Sequence, residues 1–532
     1  MDGFLDRLVW RLREIFDRVP AVSEPVAVVQ VPDAADPRGW IALDASARSS
    51  TWNAPAWTYT AARRLAAGQA GPLDLLLAAC HPNGYVREAV VTALGERDDV
   101  TALPMLALRA ADWVPEVRDR ARRVCAGMLD RAPAEAVTAL APVALALRAR
   151  QEGRWLAETV ENVLRAGPAA ALTAALASED RHTRRLAHTI ALDTGRLDVE
   201  RLVRTARTDP DLPIRVLCAE AAIRSTGDPE VARRLLTSRT ASIRAEAVRA
   251  LAAAGDTDPA DRALADRSAL VRATAQVALR RAGTDPATRY RALLDQQRPP
   301  RPAVIAGLAE TGTRTASTAR AETAARANSA DSAACAEAGA RANSADSAAR
   351  VEAGARADSA ETGACADSAA LRPWLSHPSS RGRAETVRGL RHLGDTPRDL
   401  LLPLLTDPVG SVTRQVVLSL LDQADTLDER SLRALLHRPH PTHVQRAAYR
   451  LLCAHGVWTR ISVDLHLIGG PEHALRATAR ADLGNWLRHD ATTTYSVPEG
   501  PRATELSTLL TQAEPVLGPE RTRILRFHLN LT

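Results

Sequence analysis

Between residues 57 and 489, apolar positions recur at the three-to-four-residue spacing of amphipathic helices, broken at short intervals by Gly, Pro, Asp and Asn. The spacing predicts helix pairs over 71–80 and 85–94, and over 103–111 and 116–129. A longer, less regular pair is expected over about 134–148 and 155–166, and the regular spacing then runs to Leu279. Further helices are expected at 400–405, 412–421, 432–436 and 444–453, and an irregular cap beyond. Alternation of the strand type is scarce, with 26–31 (VAVVQV) its best candidate. At the start, 2–19 places Phe4, Leu5, Leu8, Leu12, Ile15, Phe16 and Val19 on one helical stripe ending at Pro20. It reads as a cap over the first repeat, or as a membrane-surface or partner helix; acids interleaved on its polar face favour the cap.

One phrase recurs along this pattern: an Asp, a Val or Ile five residues later, and then an Arg. It stands at Asp112, Val117, Arg118; at Asp209, Ile214, Arg215; and at Asp266, Val271, Arg272. Variants occur at His81, Val86, Arg87 and at Ser238, Ile243, Arg244, while His377 takes the Asp position and Thr413 the Arg position further on. Arg87 to Arg118 spans 31 residues, Arg215 to Arg244 spans 29, and Arg244 to Arg272 spans 28. A self-similar period of this length marks a solenoid, because one helical hairpin cannot bury its apolar face without neighbours. Gly227-Asp228, Gly255-Asp256 and Gly394-Asp395 punctuate it, each offering a residue tolerant of the left-handed conformation and then an acid able to cap a helix.

The pattern lapses between 310 and 370. Three 15-residue units begin at Arg326, Arg341 and Arg356, and apart from Val351 the region has no Leu, Ile, Val or aromatic residue. Ala favours helix but buries too little apolar area to offset the ordering entropy, so a flexible insertion is expected. Beyond it, RAETVRGLRHLGD from Arg383 matches RAEAVRALAAAGD from Arg244, so the array resumes. The organisation read from the chain is an N-terminal amphipathic helix and linker (1–56), a repeat array (57–309), the low-complexity insertion (310–370), a continuation of the array (371–489) and a C-terminal cap (490–532).

The phrase, its period and its punctuation resemble HEAT repeats, especially the short class first noted in phycobilisome lyases, and VREAVVTALGERDDVTALPML from Val86 is the closest stretch. The resemblance implies an all-α fold, an α-solenoid of the armadillo/HEAT type made of paired antiparallel helices, here with a disordered Ala-rich insertion. It also implies a polar ladder in which the turn Asp and the Arg opening the second helix run along the array. Those roles fall to Asp112 with Arg118, Asp209 with Arg215, and Asp266 with Arg272.

Composition adds little chemistry. All 69 Lys plus Arg residues are Arg, which removes Schiff-base and P-loop lysine mechanisms. A net charge of +6 is small for 532 residues. The six cysteines form no CxxC pair and read as reduced apolar fillers. No phosphate loop, GxSxG, HExxH or metal-type Cys spacing occurs. His437, His440 and His443, followed by Cys453 and His455, form the densest polar cluster; Pro439 and Pro441 within it favour an inter-helix turn over a zinc site. Arg123, Arg249 and Arg388 stand five residues after ladder arginines, with Arg122, Arg280 and Arg281 nearby, and could form a basic binding face or a solvated one.

These observations point to a non-enzymatic scaffold that binds another protein, with no cofactor. The alternative is a nucleic-acid-binding protein resembling the HEAT-like alkylpurine DNA glycosylases, which would use the arginine face with Trp113 beside Asp112. A chromophore lyase would rest on family naming alone. No apolar run spans a membrane and no secretory leader pattern opens the chain, so the cytoplasm is the expected location.

Overall fold

The computed structural model describes residues 32–48, 56–97, 100–312, 362–437, 439–471, 474–494 and 496–531. The helix expected at 2–19, the strand expected at 26–31 and the body of the Ala-rich insertion lie outside the described residues. Among the described residues every regular element is helical. They form two compact units divided at Ala247 and Val248.

The first unit opens with α1 (Pro37–Arg48) and α2 (Ala56–Ala66). Pairs follow: α3 (Pro72–Ala78) with α4 (Gly84–Gly95), α5 (Leu103–Arg109) with α6 (Pro115–Arg131), and α7 (Pro133–Leu147) with α8 (Arg154–Ala166). Then come α9 (Ala169–Leu176) with α10 (Arg181–Asp193) and α11 (Val199–Thr208) with α12 (Leu212–Thr226). Next are α13 (Pro229–Leu235) and α14 (Ala241–Ala253), within which the division falls. Short turns make the partners antiparallel. Each pair also stacks on its neighbour: α4 packs on α6, α5 on α7, and α10 on α12. This is an α-solenoid of paired helices.

The apolar member of the phrase explains the stacking. Val86, Val117, Ile214 and Ile243 are all fully buried, at the first turn of the second helix of each pair. Around them the core is built from Ala, Leu and Val, including Ala121, Leu140 and Ala191. Small side chains let helices approach closely, and each buried Val or Ile contributes about 1.5–3 kcal/mol relative to exposure.

The second unit continues with α15 (Asp258–Ala263), α16 (Ala269–Arg281) and α17 (Pro286–Gln296), then helices α18 (302–312) and α19 (362–371). After these come α20 (Ser380–His392), α21 (Arg398–Leu401), α22 (Gly410–Leu420), α23 (Glu429–Ala434), α24 (Thr442–Ala454), α25 (Val457–Gly469) and α26 (Arg476–His489). The last two are α27 (Gly500–Leu517) and α28 (Pro519–His528). The α20, α22 and α24 helices stack in sequence, as the resumed period predicts.

Three differences from the sequence expectation have physical causes. The insertion is ordered helix at both ends, and its third 15-residue unit supplies Asp367, buried and paired with Arg291 at 2.8 Å. The stretch expected to be an irregular cap contains α27, whose Leu506, Leu510 and Ala513 are fully buried and which packs on α25. The Gly-Asp punctuation divides its work unevenly. Gly227, Gly255 and Gly394 all take positive φ (61°, 87° and 78°), where a Cβ would be strained. Asp228 then caps α13 through the Glu230 N–H at 2.8 Å, but Asp395 instead pairs with Arg372.

Candidate interaction surface

The ladder is built from two contacts in most repeats and a third in some. First, the Arg guanidinium donates to the backbone carbonyl six residues earlier. Arg87 reaches His81 O (2.9 Å), Arg118 reaches Asp112 O (3.3 Å), Arg184 reaches Ser178 O (2.8 Å) and Arg215 reaches Asp209 O (3.0 Å). Arg244 reaches Ser238 O (2.8 Å), and in the second unit Arg272 reaches Asp266 O and Arg383 reaches His377 O.

Second, the side chain at the Asp position accepts the backbone N–H two residues on. Asp112, Asp209, Asp266 and Asp407 do so through a carboxylate oxygen, Ser178 and Ser238 through Oγ, and His81 and His377 through Nδ1. The substitutions therefore keep what the turn requires, which is an acceptor and not a charge. Burial, with the Arg87 cation beside it, lowers the His81 pKa to about 4, so the ring is neutral and Nδ1 stays free to accept.

Third, at Asp112, Asp209 and Asp407 the carboxylate reaches the arginine of the preceding repeat. Arg87 donates Nε and Nη2 to the two oxygens of Asp112, both at 2.9 Å, with both side chains fully buried. Arg383 does the same to Asp407 at 2.6 and 3.1 Å, and Arg184 approaches Asp209 at 3.8 Å. Arg272 is held by Glu310 of α18. The carboxylate of Asp112 thus joins α4 to the α5–α6 turn, while Arg118 of its own phrase meets only its backbone oxygen and turns to Glu152 (3.5 Å). Arg109 extends the buried network, binding Asp112 at 3.0 Å and Asp44 of α1.

One rung was missed in the sequence. Ser178, Thr183 and Arg184 occupy the Asp, Val and Arg positions, but Thr183 hides the apolar signature. Its hydroxyl is buried against Asp180 at 2.8 Å.

Above this ladder, residues between the Asp and Arg landmarks carry apolar side chains into solvent. In the first unit these are Tyr85 (50% exposed), Trp113 (62%) and Leu212 (49%); in the second, Leu270 and Val409. Trp113 is the most exposed of the five, and its indole covers the Arg87 guanidinium at 4.6 Å from the ring centroid. The turn edge so combines a charge network buried beneath with apolar surface on top.

The other sequence candidates are distributed differently. Arg123 and Arg249 are exposed, on α6 and α14. Arg388 is half-buried and pairs with Glu385 at 2.5 Å. Arg122 is drawn inward to Ala110 O and Glu152, with Trp155 under it at 5.2 Å. In the histidine cluster, His443 Nε2 donates to Asp407 O and His455 Nε2 to Leu427 O, while His437 meets His466 edge-on. Those ring nitrogens serve inter-helix turns. Burial raises the thiols of Cys125, Cys218 and Cys453 to about 12, which keeps them as unreactive filler.

A buried acid that no motif announced lies nearer the C-terminus. Asp464 of α25 accepts from the Tyr449 hydroxyl at 2.7 Å. Burial first, and then the neighbouring Asp482 charge, push its pKa up to about 8. Asp482 is itself held by Arg460 at 2.6 and 2.8 Å.

No family model and no curated protein sequence matches the chain. Among solved structures it is similar to yeast importin-beta (Kap95p), at 12% identity and a TM-score of 0.29 over 99% of this chain and 76% of that one. It is also similar to Kap121p bound to Nup53p, at 14% identity and a TM-score of 0.27 over 86% and 54% of the respective chains. At these scores the fold class rests on the chain's own helix pairing: it is an α-solenoid. No described helix is long and apolar enough to cross a membrane.

Proposed function

We propose that the chain is a non-enzymatic, HEAT-like scaffold that binds another protein through the turn edge of its repeats. The observation that supports this most is Trp113, 62% exposed above a fully buried Arg87–Asp112 pair. Large aromatic side chains on rigid supports are favoured contact residues in protein interfaces, because little side-chain entropy is lost when they are covered.

The nucleic-acid reading draws less support. It needs an acid beside Trp113 that is free to act, and Asp112 is 3% exposed with its oxygens engaged by Arg87, Arg109 and the Val114 N–H. Arg388, one of the three arginines of the basic stripe, is paired within its own helix.

Immobilised full-length protein and its Trp113→Ala variant, each challenged with nuclease-treated extract from the native cells, test the proposal. A protein retained by the parent and lost by the variant is the expected result. Equal retention by both, or salt-sensitive binding of duplex DNA by the parent, would count against it.

A further inference from the structure

Helix α28 is anchored to the second unit by one face. Thr522 is 3% exposed, Leu525 and Leu529 are fully buried, and the helix packs on α27. The His528 ring meets the buried Trp486 edge-on, with 6.4 Å between centroids, and the Thr522 hydroxyl donates to Gly518 O at 2.9 Å.

The opposite face turns apolar side chains to solvent. Phe527, at 80%, is the most exposed large apolar side chain among the described residues, and Ile524, three residues earlier on the same face, is 41% exposed. Arginines border this pair. Arg523 stands four residues before Phe527 and Arg521 three before Ile524, so each neighbours an apolar side chain along the helix surface. Both are exposed, and neither makes an ion pair among the described residues. Arg526, on the flank, donates to the Thr511 hydroxyl at 3.2 Å, a partner that leaves its charge in place. The helix carries these three arginines against one acid, Glu520.

We propose that this face of α28 docks the chain on an anionic lipid bilayer, with Phe527 and Ile524 entering the headgroup boundary and the three arginines meeting lipid phosphates. Two apolar side chains on one short helix are too few for the core of a stable protein interface, which takes roughly 20–30 residues a side. A bilayer demands no matching shape, and apolar side chains set among arginines are what interfacial helices offer it. Phe527 projects from a convex helix, so a soft boundary receives it without a preformed pocket. Each arginine near an anionic surface should raise partitioning roughly fivefold. Binding of this kind is reversible and weakens with salt.

Flotation of the full-length chain with phosphatidylcholine vesicles, with and without about 30% phosphatidylglycerol, tests this. Binding to the anionic vesicles and little to the neutral ones is the expected result. Phe527→Ala should lower the anionic partition coefficient about tenfold, and Arg521→Gln combined with Arg523→Gln by tenfold or more. All these side chains are exposed, and circular dichroism should show both variants folded like the parent. No binding to the anionic vesicles would overturn the proposal and leave the face to an acidic protein. Equal binding to both vesicle types, or anionic binding unchanged by the variants, would overturn it as well, the latter by placing the contact elsewhere in the chain.

Discussion

The Trp113 indole sits 4.6 Å over the guanidinium of Arg87, a side chain with no exposure to solvent, although Trp113 itself is 62% exposed. One residue thus closes a buried ion pair with one face and meets solvent with the other. Trp113→Ala should cost about 1 kcal/mol through the lost cation–π contact and the partial wetting of the pair. Urea unfolding followed by circular dichroism measures this. A much larger loss would mean that Trp113 belongs to the core.

Ser238 is a rung without a carboxylate. The Arg215 guanidinium of the preceding repeat bonds to Asp209 O, and its buried Nε has no acceptor among the described residues. Ser238→Asp should supply one while keeping the turn acceptor for the Thr240 N–H, raising stability by about 1–2 kcal/mol. A thermal midpoint at or below that of the parent would show that the rung cannot close there.

His81 makes one repeat acid-sensitive. Its pKa falls from the usual 6.5 to about 4 on folding, so between these values the unfolded chain binds a proton that the folded chain does not. Its stabilising contribution is present above pH 6.5 and is lost as pH falls towards 4, at up to about 1.4 kcal/mol per unit. His81→Asn retains a side-chain acceptor and should remove that part of the slope. An unchanged pH profile would show that the imidazole titrates normally.

Asp464 acts with the opposite sign. Its pKa rises from 3.8 to about 8 on folding, so the folded state holds a proton that the unfolded state releases, and stability falls as pH rises between the two values. Asp464→Asn keeps an acceptor for the Tyr449 hydroxyl, should flatten this fall, and should be more stable than the parent at pH 7. Lower stability of the variant at pH 7 would mean that the carboxylate is ionised in the fold.

The sequence made the second helices legible because Val86, Val117, Ile214, Ile243 and Val271 are each buried at the same helical turn. It hid the rung at Arg184, where Thr183 meets the same packing demand with a hydroxyl satisfied by Asp180. It also could not show the ladder's direction. Spacing along the chain links Asp112 to Arg118 six residues later, whereas the carboxylate closes on Arg87, twenty-five residues earlier, a relation that exists only once helices stack. The pairing of Tyr449 with Asp464 left no pattern because it joins two helices through single side chains. The exposed turn edge was visible only as Trp113, since exposure at Tyr85 or Leu212 depends on which face each helix buries.

At Asp112 the recurrent acid and arginine join successive repeats. A double-mutant cycle of Arg87→Met, Asp112→Asn and their combination measures it by equilibrium unfolding. Each single change should cost about 3–5 kcal/mol by breaking a buried pair, with Arg109 still holding Asp112 after Arg87→Met, and the combination should cost far less than their sum. Additive costs would show that Arg87 and Asp112 do not couple the two repeats.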